Sequence, residues 1–291
     1  MVAMCSWRLR CDNAAVALPV SVQICTLNEE ANIGECLERV RENDPEEIVV
    51  IDGGSTDETV EIAESVGARV LAPGRLGLGP SRQLGWRSTE CPYVAFVDAD
   101  DRLSLTWLET MLEELHEGGY AALQSSLRAI ETGSWWTSGW NQYFIESVKP
   151  TADSTMVGRP ALFVTAELQR EDDNLISLDE DTHLSRRFEL RGLRQGIGTA
   201  IAYRHVEQSW QENASKWKSY GRGYRGFVAE HPDRRNAILR HMLWTIPIAR
   251  SWRPVLRGHL DQPAFAALMT LNVMAGWLQN SGSTETPKAA A

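Results

Sequence analysis

Short apolar runs alternate with amphipathic segments along the first hundred residues. Four runs are typical of buried strands: Val20–Thr26, Glu47–Ile51, Arg69–Ala72 and Tyr93–Val97. Three segments between them space their apolar residues as helices do: Ala31–Arg41, Thr59–Val66 and Ser81–Arg87. Strands and helices that alternate in this way predict βαβ units and an α/β fold built on a parallel sheet.

Polar residues follow three of the predicted strands, at the points where the strands end. They are Asn28 and Glu29, then Asp52, Ser55 and Asp57, then Asp98 and Asp100. Ligands of parallel α/β sheets bind outside the carboxyl ends of the strands. We therefore expect these side chains to share one rim of the sheet.

Three carboxylates lie within four positions after the fourth strand, on Asp98, Asp100 and Asp101. Like charges this close repel one another unless a cation lies between them, and carboxylate oxygens suit a hard divalent cation. A solvated turn is the alternative, with an aspartate capping a helix predicted from Ser104 onward. These residues alone favour neither interpretation.

A glycine-rich segment, Gly77–Gly85, follows the third predicted strand. It resembles a dinucleotide-binding fingerprint, but Arg82 stands in place of the third glycine, and the segment does not follow the first strand. A glycine-rich loop that enters a helix with an arginine in its first turn would suit a diphosphate instead. A P-loop motif is absent from the sequence.

Five motifs in order resemble those of family-2 glycosyltransferases with the GT-A fold. They are Thr26–Glu30, Val49–Asp57, Gly77–Gly85, Phe96–Asp100 and Glu180–Arg187, and the resemblance spans Pro19–His205. It implies a Rossmann-like mixed sheet with helices on both faces, a catalytic domain over residues 19–209, and a helical C-terminal segment. It also implies an inverting, metal-dependent transfer of a sugar from a nucleotide-diphosphate sugar to an acceptor hydroxyl.

The resemblance assigns roles to single residues. Those expected to bind the nucleotide sugar, a UDP-sugar in the first instance, are Thr26, Asn28, Glu29, Asp52, Ser55, Asp57, Arg82 and Asp98. Asp100 would ligate Mg²⁺ or Mn²⁺, with His205 as a further metal ligand. Asp181 would be the catalytic base for the acceptor hydroxyl, and general-base help is typically worth about 10²–10⁴-fold in rate. Asp101 is given no binding role and is predicted to cap the helix that follows.

Two other functions fit parts of the pattern. A sugar nucleotidyltransferase would carry a glycine-rich basic loop directly after its first strand, where this chain has Leu27-Asn28-Glu29-Glu30. A non-catalytic module that binds nucleotide sugars would not need Asp98, Asp100 and Asp181, all of which are present.

Charge and cysteine content narrow the possible partners and compartment. The chain has 291 residues and a net charge of −10, which argues against a general nucleic-acid binder. Its five cysteines form no CxxC pair, so we expect small core residues in a reducing, cytoplasmic compartment. Residues 1–18 are predicted to be a flexible leader, and residues 280–291 a disordered tail.

Residues 210–279 are predicted to form a basic, tryptophan-rich helical segment. The apolar stretch Ala264–Leu278 is shorter than the roughly 20 residues of a membrane-spanning helix. With Met242–Ala249 and the basic residues around it, the stretch suits helices lying on the inner face of the cell membrane, near a glycan or polyprenyl-linked acceptor. Packing of these helices against the catalytic domain is the alternative.

Three tryptophans lie earlier in the chain, between the fourth predicted strand and Glu180: Trp135, Trp136 and Trp140. They suit either a sugar-binding platform or a core.

Overall fold

The computed structural model describes residues 17–171, 180–244 and 261–279. Within them, the strands are β1 (Leu18–Thr26), β2 (Pro45–Asp52), β3 (Arg69–Leu71), β4 (Tyr93–Asp98), β5 (Asp101–Leu103), β6 (Ala122–Ala129), β7 (Ala161–Val164) and β8 (Gln195–Arg204). The helices are α1 (Ile33–Arg41), α2 (Thr59–Ser65), α3 (Leu78–Arg87), α4 (Trp107–Gly118), α5 (Trp135–Ser147), α6 (Thr165–Leu168), α7 (Glu180–Leu190), α8 (Trp210–Glu230), α9 (Arg235–Trp244) and α10 (Asp261–Leu278). A short 3₁₀ turn, Pro232–Arg234, joins α8 to α9.

The strands of the described residues form one eight-stranded sheet in the order β3-β2-β1-β4-β7-β6-β8-β5. The half β3-β2-β1-β4 is parallel, as the alternation of strands and helices predicts. Thr26 pairs with Asp52, and Cys25 pairs with Asp98, so the ends of three strands lie level at one edge. In the other half, β7 is antiparallel to both neighbours and β5 is antiparallel to β8. The fold is therefore a mixed α/β sheet, as expected.

Two hydrophobic clusters cover opposite faces of this sheet. Strand β1 is buried along almost its whole length, which fits a strand covered on both faces. One cluster joins β1 to α1 and α4 through residues such as Val22, Leu37 and Met111. The other contains Trp86 of α3 and Phe188 of α7. The helices α3 and α7, which carry site residues, therefore lie together on one face.

The C-terminal helices pack on the part of the chain that forms the sheet. Helices α8 and α10 approach so closely that a Cβ at Gly221 would collide with the carbonyl oxygen of Val273. A Cβ at Gly276 would collide with the backbone of Lys218 in the same way. Phe265 of α10 belongs to the cluster that also contains the β1 side chains. The described helices of this segment therefore pack on the rest of the chain, and none of the described helices is long and apolar enough to cross a membrane.

The tryptophans between the fourth strand and α7 fill this core. Trp140 and Trp217 are fully buried, and their rings lie 6.2 Å apart. Trp135 and Trp136 pack against Phe265 at 5.6 and 6.4 Å between ring centroids. Trp140 therefore belongs to the core, and Trp135 and Trp136 pack against its edge as half-buried residues.

Some expected elements differ or lie outside the described residues. Helix α3 begins at Leu78, so the glycine-rich segment is mostly helical and Pro80 occupies its first turn, where no backbone N–H is needed. The helix expected from Ser104 is present as α4 but begins three residues later, at Trp107, and strand β5 lies just before it. The predicted leader up to residue 16, residues 245–249 of the predicted helix and the predicted tail 280–291 lie outside the described residues.

Candidate active site

The loops after β1 and β2 form one side of the site, which we call the nucleotide-side rim. Its members are Thr26, Asn28, Glu29, Asp52, Ser55 and Asp57. The backbone N–H of Asn28 donates to Ser55 Oγ at 2.8 Å, and the N–H of Thr56 donates to Asn28 Oδ1 at 2.8 Å. Asn28 has φ of +57°, a left-handed conformation that asparagine adopts more readily than most residues. The two loops therefore hold each other in place.

Asp52 is the buried centre of the rim. Its Oδ2 accepts hydrogen bonds from the backbone N–H of Gly54 at 2.8 Å and of Ser55 at 2.9 Å. Its Oδ1 accepts from Ser55 Oγ at 2.5 Å and from Thr26 Oγ1 at 3.3 Å. Burial raises the pKa of Asp52, but the hydrogen bonds from Ser55 and Gly54 outweigh it and lower the pKa. The carboxylate is thus ionised at neutral pH and organises both loops.

Glu29 and Asp57 lie at the start of the helices that follow these loops. Asp57 accepts from the backbone N–H of Thr59 at 3.1 Å and of Glu30 at 3.2 Å. Asn32 Nδ2 donates to Glu29 Oε2 at 3.0 Å. Burial raises the pKa of Glu29, and the bond from Asn32 only partly opposes this. Asp57 is therefore hydrogen-bonded within the loops. The negative charges of Asp100 and Asp98 also act on Glu29 and raise its pKa further.

The other side of the site is a cluster of charges, which we call the charged centre. Its members are Arg82, Asp98, Asp100, Asp101, Arg159, Glu180, Asp181 and Arg204. They come from α3, β4, β5, α7, β8 and the segments between these elements. Both signs of charge meet where β4 ends.

Asp98 lies at the middle of the charged centre. Arg82 Nη2 donates to its Oδ1 at 2.8 Å, and Arg204 Nη2 donates to its Oδ2 at 2.9 Å. Arg159 Nε lies 3.5 Å from Oδ2. Burial by itself raises the pKa of this carboxyl, but Arg159, Arg204 and Arg82 together hold it well below its usual range. Asp98 is therefore a paired, ionised carboxylate.

The expectation that Asp101 caps a helix is wrong. Asp101 belongs to β5 and is fully buried, while α4 begins only at Trp107 and shows no side-chain cap. Both carboxylate oxygens of Asp101 pair with Arg204, at 2.7 Å each, and one accepts from the backbone N–H of Asp98 at 3.1 Å. Burial raises the pKa of Asp101 to about 6, although Arg204 opposes the rise. Asp101 lies in a strand and not at the start of a helix because it pairs with Arg204 of the antiparallel strand β8.

Glu180 links α7 to the same arginines. Its Oε1 accepts from Arg82 Nε at 3.2 Å and from Arg159 Nη1 at 2.5 Å, and the residue is buried. Burial raises the pKa of Glu180, and Arg159 opposes the rise. Because Glu180 pairs with two arginines from other parts of the chain, it does more at the start of α7 than complement the helix dipole. It fixes the start of α7 against α3.

Asp181 follows Glu180 and lines a small pocket with Arg82 and Arg159. Its Oδ1 accepts from the backbone N–H of Thr182 at 2.8 Å. Apolar walls of the pocket include Trp86, Phe96, Phe163 and Leu184. The structure thus brings the candidate base to the same arginines that hold Asp98.

The aspartates of the charged centre suit a divalent cation. Asp98, Asp100 and Asp101 each offer a carboxylate oxygen, and these atoms lie within 4.8 Å of one another. Oxygen donors fit Mg²⁺ or Mn²⁺. Asp98 and Asp101 are held by close ion pairs, whereas the nearest arginine atom to Asp100 is Arg204 Nε at 3.7 Å. Asp100 is therefore the carboxylate most available to a metal.

His205 lies beside Asp100. The backbone N–H of His205 donates to the carbonyl oxygen of Asp100 at 3.0 Å. Its half-exposed imidazole has Glu35 Oε2 4.0 Å from Nε2. His205 thus adjoins Asp100 through the backbone, but its partly exposed imidazole does not belong to the group of ligand atoms that Asp98, Asp100 and Asp101 form in the described residues.

Two arginines of the charged centre were not predicted from the sequence. Arg204 directly precedes His205, but its pairing partners come from strands about a hundred residues earlier. Arg159 precedes a proline after the α5 helix, and nothing in the local sequence indicates its place beside Asp98 and Glu180. The place of Arg204 beside Asp101 could have been predicted only by knowing that β5 pairs with β8.

Comparisons with known proteins agree with this geometry. Residues 21–169, about half of the chain, match the family model "Glycosyl transferase family 2". The glycosyltransferase AglJ of Haloferax volcanii is 34% identical over 106 residues, which cover 35% of each chain. An uncharacterized glycosyltransferase of Rickettsia typhi is 36% identical over 117 residues, covering 39% of this chain and 40% of the relative. The matched segment thus spans well under half the length of these curated relatives.

Solved structures resemble the chain over most of its length. The mannosyltransferase PcManGT from Pyrobaculum calidifontis, in complex with GDP-Man and Mn²⁺, has a TM-score of 0.67 at 15% identity, covering 93% of this chain and 89% of that one. S. aureus TarS in complex with UDP-GlcNAc has a TM-score of 0.56 at 17% identity, covering 89% of this chain and 88% of that one. At these identities the likeness establishes the fold alone, and the fold is that of GT-A nucleotide-sugar transferases. With its motifs in order on this fold and the family match over half its length, the chain belongs to glycosyl transferase family 2.

Proposed function

We propose that this glycosyltransferase is metal-dependent and inverting, and that it moves a sugar from a nucleotide-diphosphate sugar, a UDP-sugar in the first instance, to an acceptor hydroxyl. One observation carries the proposal: Asp98, Asp100 and Asp181 meet at one group of arginines, where β4 ends. A site of this kind has the carboxylates for a metal, the cations for a diphosphate and a separate carboxylate for a proton.

The nucleotide-side rim would bind the nucleoside. Asn28 and Ser55 are fixed by the bonds between the loops, so the rim is organised before a ligand arrives. Asp52 already accepts four hydrogen bonds, which use the about four lone-pair sites of a carboxylate, so a bond from the edge of a base would replace the longest of them, from Thr26 Oγ1 at 3.3 Å. Glu29, half-buried and with a raised pKa, would accept from ribose hydroxyls.

The charged centre would bind the diphosphate. Arg82, Arg159 and Arg204 now satisfy Asp98, and guanidinium groups also bind phosphate oxygens well. A metal ion held by Asp100, with His205 beside it, would neutralise the negative charge that develops on the departing diphosphate. The neighbouring structure that contains Mn²⁺ supports this choice of ion.

Asp181 would accept the proton of the acceptor hydroxyl. It lines the same pocket as Arg82 and Arg159, the arginines that also pair with Asp98, so the proton acceptor would lie beside the groups that bind the diphosphate. The hydroxyl would then attack the anomeric carbon opposite the leaving diphosphate, which inverts the configuration.

Replacement of the base tests this mechanism. In Asp181→Asn we expect kcat to fall about 10²–10⁴-fold while donor affinity, measured by calorimetry with the nucleotide sugar and Mn²⁺, stays within a factor of two of wild type. Released nucleoside diphosphate is measured, because a sugar nucleotidyltransferase would release pyrophosphate instead. The matched control is Asp153→Asn, the same change at an exposed carboxylate that pairs with Arg194. Full transfer activity in Asp181→Asn would refute the assignment of the base.

A membrane-surface acceptor, polyprenyl-linked and reached from the cytoplasmic side, fits the outer face of α10. Leu271, Met274 and Leu278 are exposed at helical spacing along one face of this helix. Arg225 donates to the carbonyl oxygen of Gln279 at 2.9 Å, and Arg222 donates to Oε1 of Gln279 at 3.2 Å, so two cations lie beside that end of the helix. Exposed apolar side chains flanked by arginines suit a lipid surface with anionic headgroups.

Liposome flotation tests this contact. We expect the chain to float with vesicles containing anionic lipid at low salt, and Leu271→Asp/Leu278→Asp to remain at the bottom of the gradient. Leu105→Asp/Leu190→Asp is the matched control, because both leucines are equally exposed elsewhere on the surface. A chain that never floats, or a control that fails as completely as the α10 variant, would remove the membrane proposal.

A further inference from the structure

Another group of potential metal ligands in the described part of the chain lies outside the charged centre, where α7 meets the end of α8. His183 belongs to α7, Glu230 is the last residue of α8, and His231 follows it. One ligand atom from each lies within 4.8 Å of the other two. These three residues, which we call the His–Glu–His group, have no part in the function proposed above.

The spacing of the group is close to that of a tetrahedral metal site. His183 Nδ1 lies 3.5 Å from Glu230 Oε2. Two ligands bound tetrahedrally to zinc at about 2.0–2.2 Å are themselves about 3.3–3.6 Å apart. The remaining separations, up to 4.8 Å, need a movement of about 1 Å, which side chains at a helix end make easily.

Packing positions the two imidazoles before any ion arrives. The ring of Phe227 lies 5.2 Å from that of His183 and 4.7 Å from that of His231, centroid to centroid. The two imidazole rings are 5.6 Å apart. His183 is buried, while the Glu230 side chain is 51% exposed. An ion can therefore enter from solvent at Glu230 and meet a rigid ligand beneath.

The donor atoms of the group suit zinc. The charged groups that act on His183 are the acids Glu230 and Asp181 and the bases His231 and Arg187, so the charges nearly balance before an ion binds. The histidines contribute nitrogen donors and the glutamate one oxygen donor, whereas the charged centre offers carboxylate oxygens. Imidazoles with one carboxylate suit Zn²⁺, and all-oxygen sets suit Mg²⁺ or Mn²⁺.

We propose that His183, Glu230 and His231 bind one Zn²⁺ ion, with water as the fourth ligand. The ion would tie α7 to the end of α8 two residues from Asp181. Since α7 starts at Glu180 and carries the candidate base, the zinc site would hold that base in place from outside the reaction centre. This proposal stands whether or not the proposed reaction is correct.

Zinc binding to the full chain, stripped of metal with a chelator, tests the proposal. Affinity is measured by competition with a zinc-sensitive dye, first in an Asp100→Asn/His205→Gln background that weakens binding at the charged centre. We expect one Zn²⁺ per chain in that background. Adding Glu230→Gln or His231→Gln should weaken binding more than about 100-fold, because loss of outer-shell partners alone costs about 10–100-fold.

A second measurement separates zinc binding from misfolding. Zinc should raise the melting temperature of the background protein, since an ion that binds only the folded state stabilises it, and should not raise that of His231→Gln. Without zinc, Glu230→Gln should melt at the same temperature as its parent, because its side chain is largely solvent-exposed. Zinc affinity unchanged by both substitutions, or no zinc bound in the background protein, would overturn the proposal.

Discussion

The nucleotide-side rim and the charged centre lie at the ends of neighbouring strands, but different forces hold them. In the rim, two adjacent loops exchange hydrogen bonds, mostly from neutral backbone donors to Asn28, Asp52 and Asp57. In the charged centre, arginines and acids from distant parts of the chain neutralise one another, as Arg204 does with Asp98 and Asp101. The rim is a local structure and the centre is a long-range one.

This difference predicts which single substitutions should lower the stability of the protein most. A net hydrogen bond contributes about 0.5–1.5 kcal/mol, because folding exchanges bonds with water for bonds within the protein. Removing one partner of a buried ion pair leaves the other charge without compensation, which costs about 3–5 kcal/mol. Under the proposed function, the charged centre would also exchange partners when a diphosphate binds, whereas the hydrogen bonds between the loops of the rim would be kept. The centre is therefore the less tolerant of the two regions.

The largest effect is expected from Arg204→Met, which removes the guanidinium and keeps most of the side-chain volume. Asp101 is 0% exposed and pairs with Arg204 through both oxygens, so without the guanidinium it would lose both ion pairs and have to take up a proton to remain buried at pH 7. We expect the free energy of unfolding, measured by urea denaturation at pH 7, to fall by about 3–5 kcal/mol. The denaturant slope should stay near the wild-type value if the fold is kept.

The control for this prediction is Arg39→Met. Arg39 pairs with Glu42 at 2.8 Å, with the two side chains 43% and 46% exposed. An exposed pair of this kind contributes about 0.2–1 kcal/mol, so the loss should be no greater than that. Equal losses in the two variants would contradict the comparison between local and long-range stabilisation.

The local pattern of the sequence was sufficient for the parallel half of the fold and for the rim. Apolar runs and helical spacing predicted β1, β2 and β4 because each depends on residues close in the chain. The polar residues that follow those strands meet because parallel strands end at one edge. Which residues share the rim could thus be inferred, although their bonds to one another could not.

The charged centre could be predicted only in part. Arg82 lies 98 positions from Glu180, and Arg204 lies 106 positions from Asp98, so nothing near either arginine indicates its partner. Asp101 was misassigned for the same reason: a strand of three residues is too short to have its own pattern, and β8 decides its pairing. Tertiary contacts decide the positions of Arg159 and Arg204 and the burial of Glu180, so these features could not be predicted from the sequence.

A smaller effect is expected from Asp52→Asn in the rim. Asparagine keeps one acceptor oxygen but loses the charge that strengthens the bonds from Gly54 and Ser55, so we expect a loss of about 1–3 kcal/mol at pH 7. The pKa of Asp52 is lowered in the folded protein, so its contribution is complete above the unfolded value of about 3.9 and is lost as the pH falls through the folded value. Asparagine does not titrate, so the difference between the two proteins should shrink below about pH 4.

The Asp52 prediction is checked by urea denaturation from pH 7 down to pH 3, with Asp44→Asn as the control. Asp44 is exposed beside the start of β2 and has φ of +50°, a conformation that asparagine accepts as well as aspartate does. The control should change the free energy of unfolding by less than about 0.5 kcal/mol. A difference between wild type and Asp52→Asn that grows toward pH 3 would reverse the expected sign. The rim would then not be held by an ionised Asp52, and its contrast with the charged centre would have to rest on the neutral hydrogen bonds of Asn28 and Ser55 alone.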